Sequence, residues 1–99
     1  MFDTALKPVH PIDLRTYLVA DMATIGAGDV VRIVDEAVAG GATTVQIRGK
    51  QLGDAELLRI VTAVADRLDG RATLLVNDRV DVYLAAREAG AAVHGVHIG

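Results

Sequence analysis

The sequence predicts an α/β fold of parallel (β/α) units. Short runs rich in Val, Leu, Ile and Thr alternate with longer stretches whose apolar residues recur at helical spacing, the pattern of strands joined through crossover helices. Glycines fall where each helical stretch ends. The composition is 52% hydrophobic and only 3% aromatic, a mix of small aliphatic side chains that suits helices layered on a sheet.

Residues 1–15 contain Pro8 and Pro11 and show no sustained period, so they read as a leader outside the repeating part. A first strand is expected over 16–20, on Tyr17-Leu18-Val19-Ala20, followed by Asp21 and a Gly-containing loop through Gly28. Asp29 can cap a helix in which Val30, Val31, Ile33, Val34, Ala37 and Val38 recur at helical spacing, with Arg32, Asp35 and Glu36 on the other face and Gly40-Gly41 at its end. A second strand is expected over 43–47. After a polar loop over 48–53, Asp54 can cap a second helix with Leu57, Leu58, Val61, Val64, Ala65 and Leu68 in its stripe, closed by Gly70. A third strand over 73–76 leads through Asn77, Asp78 and Arg79 into a helix over 80–89, stopped by Gly90, and 93–98 reads as a fourth strand.

Crossovers of this length make the strands parallel, in either an open doubly wound sheet or a barrel. Three units plus a strand leave the outer strands with unpaired edges and one sheet face uncovered, so the pattern reads as part of a larger parallel α/β barrel.

Ten basic residues against 13 acidic ones give a formal charge of −3, spread along the chain. No basic patch points to nucleic acid or an anionic membrane, and small-molecule partners are expected. The absence of cysteine excludes disulfides and thiolate metal sites and suits a cytoplasmic location. No window reaches the roughly 18 apolar residues of a membrane span, and the start lacks the basic-then-apolar character of a secretory signal.

Ligands of parallel α/β folds sit beyond the carboxyl ends of the strands, which selects the polar residues there. Gln46, Arg48 and Lys50 alternate, so an extended chain continuing past Ile47 projects all three to one side. A guanidinium, an ammonium and an amide converging suit a phosphate or diphosphate; the alternative is a solvated basic loop. Asn77-Asp78 offers the hard oxygen ligands Mg²⁺ takes when it also binds substrate phosphate, or else a helix cap or Asx turn. His94 and His97, three apart on a strand, point to opposite faces and do not make a zinc pair; His97 alone can face the mouth. Gly26-Ala27-Gly28 lacks the following glycine of a dinucleotide fingerprint and reads as a loop.

Taken in order, Tyr17-Leu18-Val19-Ala20-Asp21, Val45-Gln46-Ile47-Arg48-Gly49-Lys50, Val76-Asn77-Asp78-Arg79-Val80-Asp81 and Gly95-Val96-His97-Ile98-Gly99 resemble thiamine phosphate synthase. The resemblance implies the first half of a TIM (β/α)₈ barrel. It implies a transferase of thiamine biosynthesis that joins hydroxymethylpyrimidine diphosphate to thiazole phosphate with Mg²⁺, releasing pyrophosphate. It assigns Gln46, Arg48 and Lys50 to the diphosphate, with Arg48 and Lys50 acting in catalysis, Asn77 to the same substrate and Asp78 to the metal; His97 joins them as a substrate-binding candidate. Gly49 stands where the family usually has Glu, the segment between Asp81 and Gly95 is a few residues longer than usual, and His94 replaces an Asp. The family's second metal carboxylate and its thiazole phosphate site fall beyond Gly99, so this chain alone is expected to be inactive. The alternatives are a thiazole tautomerase-like isomerase and a non-catalytic phosphate-binding half-barrel that pairs with another copy as a homo-oligomer.

Overall fold

Three helices alternate with four short strands along residues 17–98, the part of the chain that the computed structural model describes. The order is β1 (Tyr17–Asp21), α1 (Val30–Ala39), β2 (Thr44–Arg48), α2 (Asp54–Leu68), β3 (Thr73–Asn77), α3 (Val80–Glu88) and β4 (Gly95–His97). The expected leader over 1–15 lies outside the described residues, as do Thr16 and Gly99.

All three strand pairings are parallel and the spatial order is β1-β2-β3-β4. A doubly wound sheet reverses its strand order at a switch point; consecutive order is the arc of a (β/α) barrel. The register places Val19 opposite Gln46, Gln46 opposite Leu75, and Asn77 opposite His97. Because strand side chains alternate, this register separates two faces. Ala20, Val45, Ile47, Leu74 and Val76 point to one face and are fully buried. They form one core with Val30 and Val34 of α1, Leu57, Val61, Val64 and Leu68 of α2, and Val82 and Ala86 of α3. Each Val, Leu or Ile side chain withdrawn from water contributes about 1.5–3 kcal/mol. Tyr17, Val19, Gln46, Arg48, Asn77 and His97 line the other face.

The helix starts depart from expectation in an instructive way. Asp29 occupies the cap position of α1, but its side chain makes no capping bond. Its backbone is already near-helical (φ −109°, ψ −16°) rather than extended, and its carboxylate accepts from Arg32 Nη2 at 3.3 Å instead. For α2 the cap is Gly53, extended at φ −71° and ψ 163°, and Asp54 is the first helical residue. Together with Glu56 it places carboxylate charge in the first turn, where the helix dipole favours it. The far end of α2 closes through Asp69 and Gly70, both left-handed (φ 47° and 80°).

Asp35 of α1 receives Arg67 Nη2 of α2 at 2.9 Å and also pairs with Arg71. Arg67 first and Arg71 second hold the Asp35 carboxyl below its usual range. The outer layer is thereby tied together over its apolar base.

The fourth strand is shorter than the expected 93–98, and His94 explains why. Its backbone N–H donates to Leu74 O at 2.8 Å, while its imidazole Nδ1 accepts from Leu74 N–H at 2.9 Å. A side chain thus supplies the acceptor for β3, and the backbone before Gly95 leaves the ladder. Gly95 itself lies close to β3: a Cβ there would come within 3.3 Å of Leu75 Cδ2. Among the described residues, no helix is long and apolar enough to cross a membrane.

Candidate active site at the strand ends

The face opposite the helices carries an open cleft of about 440 Å³, lined by Tyr17, Val19, Gln46, Arg48, Lys50, Asn77 and His97. Gln46, Arg48 and Lys50 all line this one cleft, although β2 ends at Arg48 and Lys50 lies two residues beyond it.

At the floor of the cleft the side chains form a hydrogen-bonded row across three strands. Asn77 Nδ2 donates to Gln46 Oε1 at 2.8 Å, and Gln46 Nε2 donates to the Tyr17 hydroxyl, also at 2.8 Å. Gln46 and Asn77 are 4% and 6% exposed, so each amide needs partners to offset its loss of water. Both Gln46 groups are bonded. Asn77 Oδ1 is buried and has no protein partner. An acceptor left this way inside a binding cleft is a place for a ligand N–H or O–H.

Above the floor lie the two cations. Arg48 Nε stands 3.7 Å from Asp21 Oδ2, and Lys50 Nζ stands 3.7 Å from Asp78 Oδ2. Both cationic side chains are about half exposed (41% and 56%), and ion pairs this open are worth little, so an arriving anion can compete for either cation. Asp21 is additionally a turn former: its carboxylate accepts from Ala23 N–H at 3.0 Å and its carbonyl from Thr24 and Ile25 N–H at 2.9 Å.

Asp78 sits just past β3 in a left-handed conformation (φ 59°), its N–H donating to His97 O at 2.8 Å. It stands beside the cleft's lip, next to Lys50, and is not among the residues lining the floor. Arg79, immediately after it, turns its guanidinium away from the cleft residues towards the β2–α2 loop. Its Nη1 donates to Gly49 O at 3.1 Å and Leu52 O at 2.9 Å, and its Nη2 pairs with Asp54. Arg79 first, and hydrogen bonding with Asp81 second, hold the Asp54 carboxyl below its ordinary range.

The family described as thiamine monophosphate synthase matches residues 16–99. The chain belongs to the thiamine monophosphate synthase family. It is 47% identical over 90 residues to the thiamine-phosphate synthase of Corynebacterium efficiens, an alignment that covers 88% of this chain and 39% of that protein. To a putative thiamine-phosphate synthase of Geobacter sulfurreducens it is 41% identical over 91 residues, again 39% of that protein. A solved structure, the thiamine phosphate pyrophosphorylase from Pyrococcus furiosus, superposes with a TM-score of 0.65 at 31% identity over 85% of this chain and 40% of that one. The chain therefore spans about two-fifths of the length of the synthases it matches.

As a member of the thiamine monophosphate synthase family, the chain brings Gln46, Arg48, Lys50, Asn77 and His97 to one cleft, with Asp78 on its lip. His94 Nδ1 accepts the Leu74 backbone N–H, and among the described residues no cluster of three or more His, Cys, Asp or Glu side chains stands together. Asp21, the polar residue at the end of the first strand, pairs with Arg48 at the cleft; Tyr17, Val19 and Arg79 are not singled out by the sequence reading. Tyr17 has one signal in the sequence: a tyrosine placed at the start of an apolar strand needs a partner for its hydroxyl. Gly49, where the family resemblance has Glu, is buried, and a Cβ there would come to 3.1 Å from both Leu52 Cδ1 and Leu57 Cδ1, so the loop lies low on α2.

Proposed function

We propose that this chain carries the pyrimidine diphosphate portion of a thiamine-phosphate synthase active site. The observation that carries the reading is the convergence of Arg48 and Lys50 over a polar floor of Tyr17, Gln46 and Asn77 in one cleft. Family membership, together with the names of the relatives, supports the same reaction.

In the proposed chemistry, hydroxymethylpyrimidine diphosphate loses pyrophosphate by cleavage of its C–O bond. The electron pair leaves on pyrophosphate, and the remaining pyrimidinylmethyl cation is stabilised by the aminopyrimidine ring. The thiazole nitrogen then donates its lone pair to form the C–N bond, so no protein nucleophile is needed. What the protein supplies is position and charge. Arg48 binds the diphosphate through its planar fork and Lys50 as a point charge. Both interactions strengthen as negative charge accumulates on the leaving group, which is where they lower the barrier. Asn77 Oδ1 meets an N–H of the aminopyrimidine and so ends its unpartnered state, while Gln46 and Tyr17 keep the amide turned that way. His97, on the exposed end of β4, closes the side of the cleft next to Asn77.

Asp78 fits Mg²⁺ of the kind that takes one or two carboxylates and completes its shell with water and substrate phosphate oxygens, because one hard carboxylate stands beside a diphosphate-binding cation pair. When bound, the ion would add positive charge next to the leaving group. The test is to incubate the intact protein with both substrates and Mg²⁺ and to follow thiamine phosphate and pyrophosphate. A full-length protein containing this chain is expected to form both in equal amounts and this chain alone to form neither; pyrophosphate without thiamine phosphate would point to simple hydrolysis and overturn the coupling step.

A further inference from the structure

We propose that Arg79 is a positioning residue that sets Lys50 over the cleft by locking the β2–α2 loop to the end of β3; the proposal rests on the diphosphate reading above. Arg79 directly follows Asn77 and Asp78, and its guanidinium crosses to the loop that carries Lys50. One nitrogen donates to two loop carbonyls, Gly49 O on the residue before Lys50 and Leu52 O two residues after it, and the other pairs with Asp54 at the start of α2. The Arg79 side chain is only 20% exposed, so these bonds are partly shielded from water and stronger than a surface pair.

The loop is gripped from two sides. Below, Gly49 lies against Leu52 and Leu57, with no room for a side chain before those leucines shift. Beside it, Arg79 holds the carbonyls that bracket Lys50. The backbone at the other end is equally constrained: Arg79 N–H donates to Asn77 O at 2.7 Å and Val80 N–H to Asp78 O at 3.1 Å. Asn77 at the floor, Asp78 at the lip and Lys50 above them are thereby fixed to one another through a residue that does not line the cleft. The residue type matters, because a planar fork can address two carbonyls and a carboxylate together, and a lysine ammonium on a flexible stem cannot reproduce that geometry.

The test is a double-mutant cycle read by calorimetric titration of the intact protein with inorganic pyrophosphate. Arg79→Ala is expected to weaken pyrophosphate by about tenfold or more, on the scale of misplacing a binding group by about 1 Å, and Arg79→Lys to recover little of it. Lys50→Ala is expected to cost a similar factor alone and much less in the Arg79→Ala background, since Lys50 is already out of place there. Should the two losses simply multiply, or should Arg79→Ala lower the melting temperature while pyrophosphate affinity holds, Arg79 is a loop staple and the proposal is overturned. If Arg79→Ala does not fold, Asp54→Asn loosens one arm of the clamp and must show a smaller loss in the same direction; unchanged affinity there also overturns it. Unchanged affinity in both Arg48→Ala and Lys50→Ala would instead remove the diphosphate reading itself, and this proposal with it.

Discussion

The two faces of the sheet are built from alternating residues of the same strands and obey opposite rules. Ile47 and Gln46 are neighbours on β2, both nearly inaccessible. Ile47 is buried among side chains of the helices and needs nothing but contact. Gln46 is buried in a row of amides and a phenol and needs each bond to be made in one direction. The helix face accepts any arrangement that fills space, whereas the cleft face accepts one pattern of donors and acceptors. Stability is therefore concentrated on the first face and the proposed ligand recognition on the second, one residue apart along the chain.

Substitutions can break this division, beginning with the largest effect. Ile47→Ala should cost roughly 2–5 kcal/mol of folding free energy through lost contact and a residual cavity, seen as a lower denaturant midpoint, with pyrophosphate affinity preserved in the folded protein. Arg48→Ala should do the reverse. Its side chain is 41% exposed, so stability should stay within about 0.5 kcal/mol, while turnover of a full-length protein carrying the change falls by about 100-fold or more, as when one charge-stabilising donor is removed. Near-normal kinetics would take Arg48 out of the site.

His94→Ala sharpens the comparison at the sheet edge. It strips the acceptor from Leu74 N–H and should cost about 1–3 kcal/mol if that amide is left dry, with a shift in the Leu74 amide resonance and faster exchange at β4. His94→Asp, which restores an acceptor, should recover part of the loss. The smallest effect concerns acid. The Asp35 carboxyl is held below its ordinary value of 3.8 by Arg67 and Arg71, so its contribution to stability is present above that value and is lost as pH falls through the lower, folded-state value. Asp35→Asn should therefore narrow the difference in melting temperature between neutral pH and pH 3. An acid sensitivity identical to the parent would place the linkage elsewhere.

Much of this was legible in the chain because periodicity reports burial directly. The strands fall within one residue of where β-rich runs put them, except at β4, and the apolar stripe of α2 supplies Leu57, Val61, Val64 and Leu68 to the core as expected. Alternation likewise brought Gln46, Arg48 and Lys50 to one side. Features that depend on register were hidden. Tyr17 pairs with Thr44 in the ladder, yet its hydroxyl reaches diagonally to Gln46 two residues on, a contact visible only once the strands are aligned. Capping is hidden for a related reason: Asp29 and Asp54 both stand at helix starts, but long-reaching arginines engage their carboxylates. His94 looked like one more strand residue, and only the neighbouring Leu74 shows that its ring stands in for backbone.

The left-handed backbone at Asp78 carries a consequence for how this position can vary. With φ at 59°, the site tolerates glycine, asparagine and aspartate far better than longer or branched side chains. Of those three only aspartate bears a charge. Glutamate would preserve the sign but add strain and reach, and asparagine would preserve the backbone and discard the charge. Each replacement sacrifices either the turn or the carboxylate, so under the proposed metal role local chain geometry narrows the usable alphabet at residue 78 to a single letter.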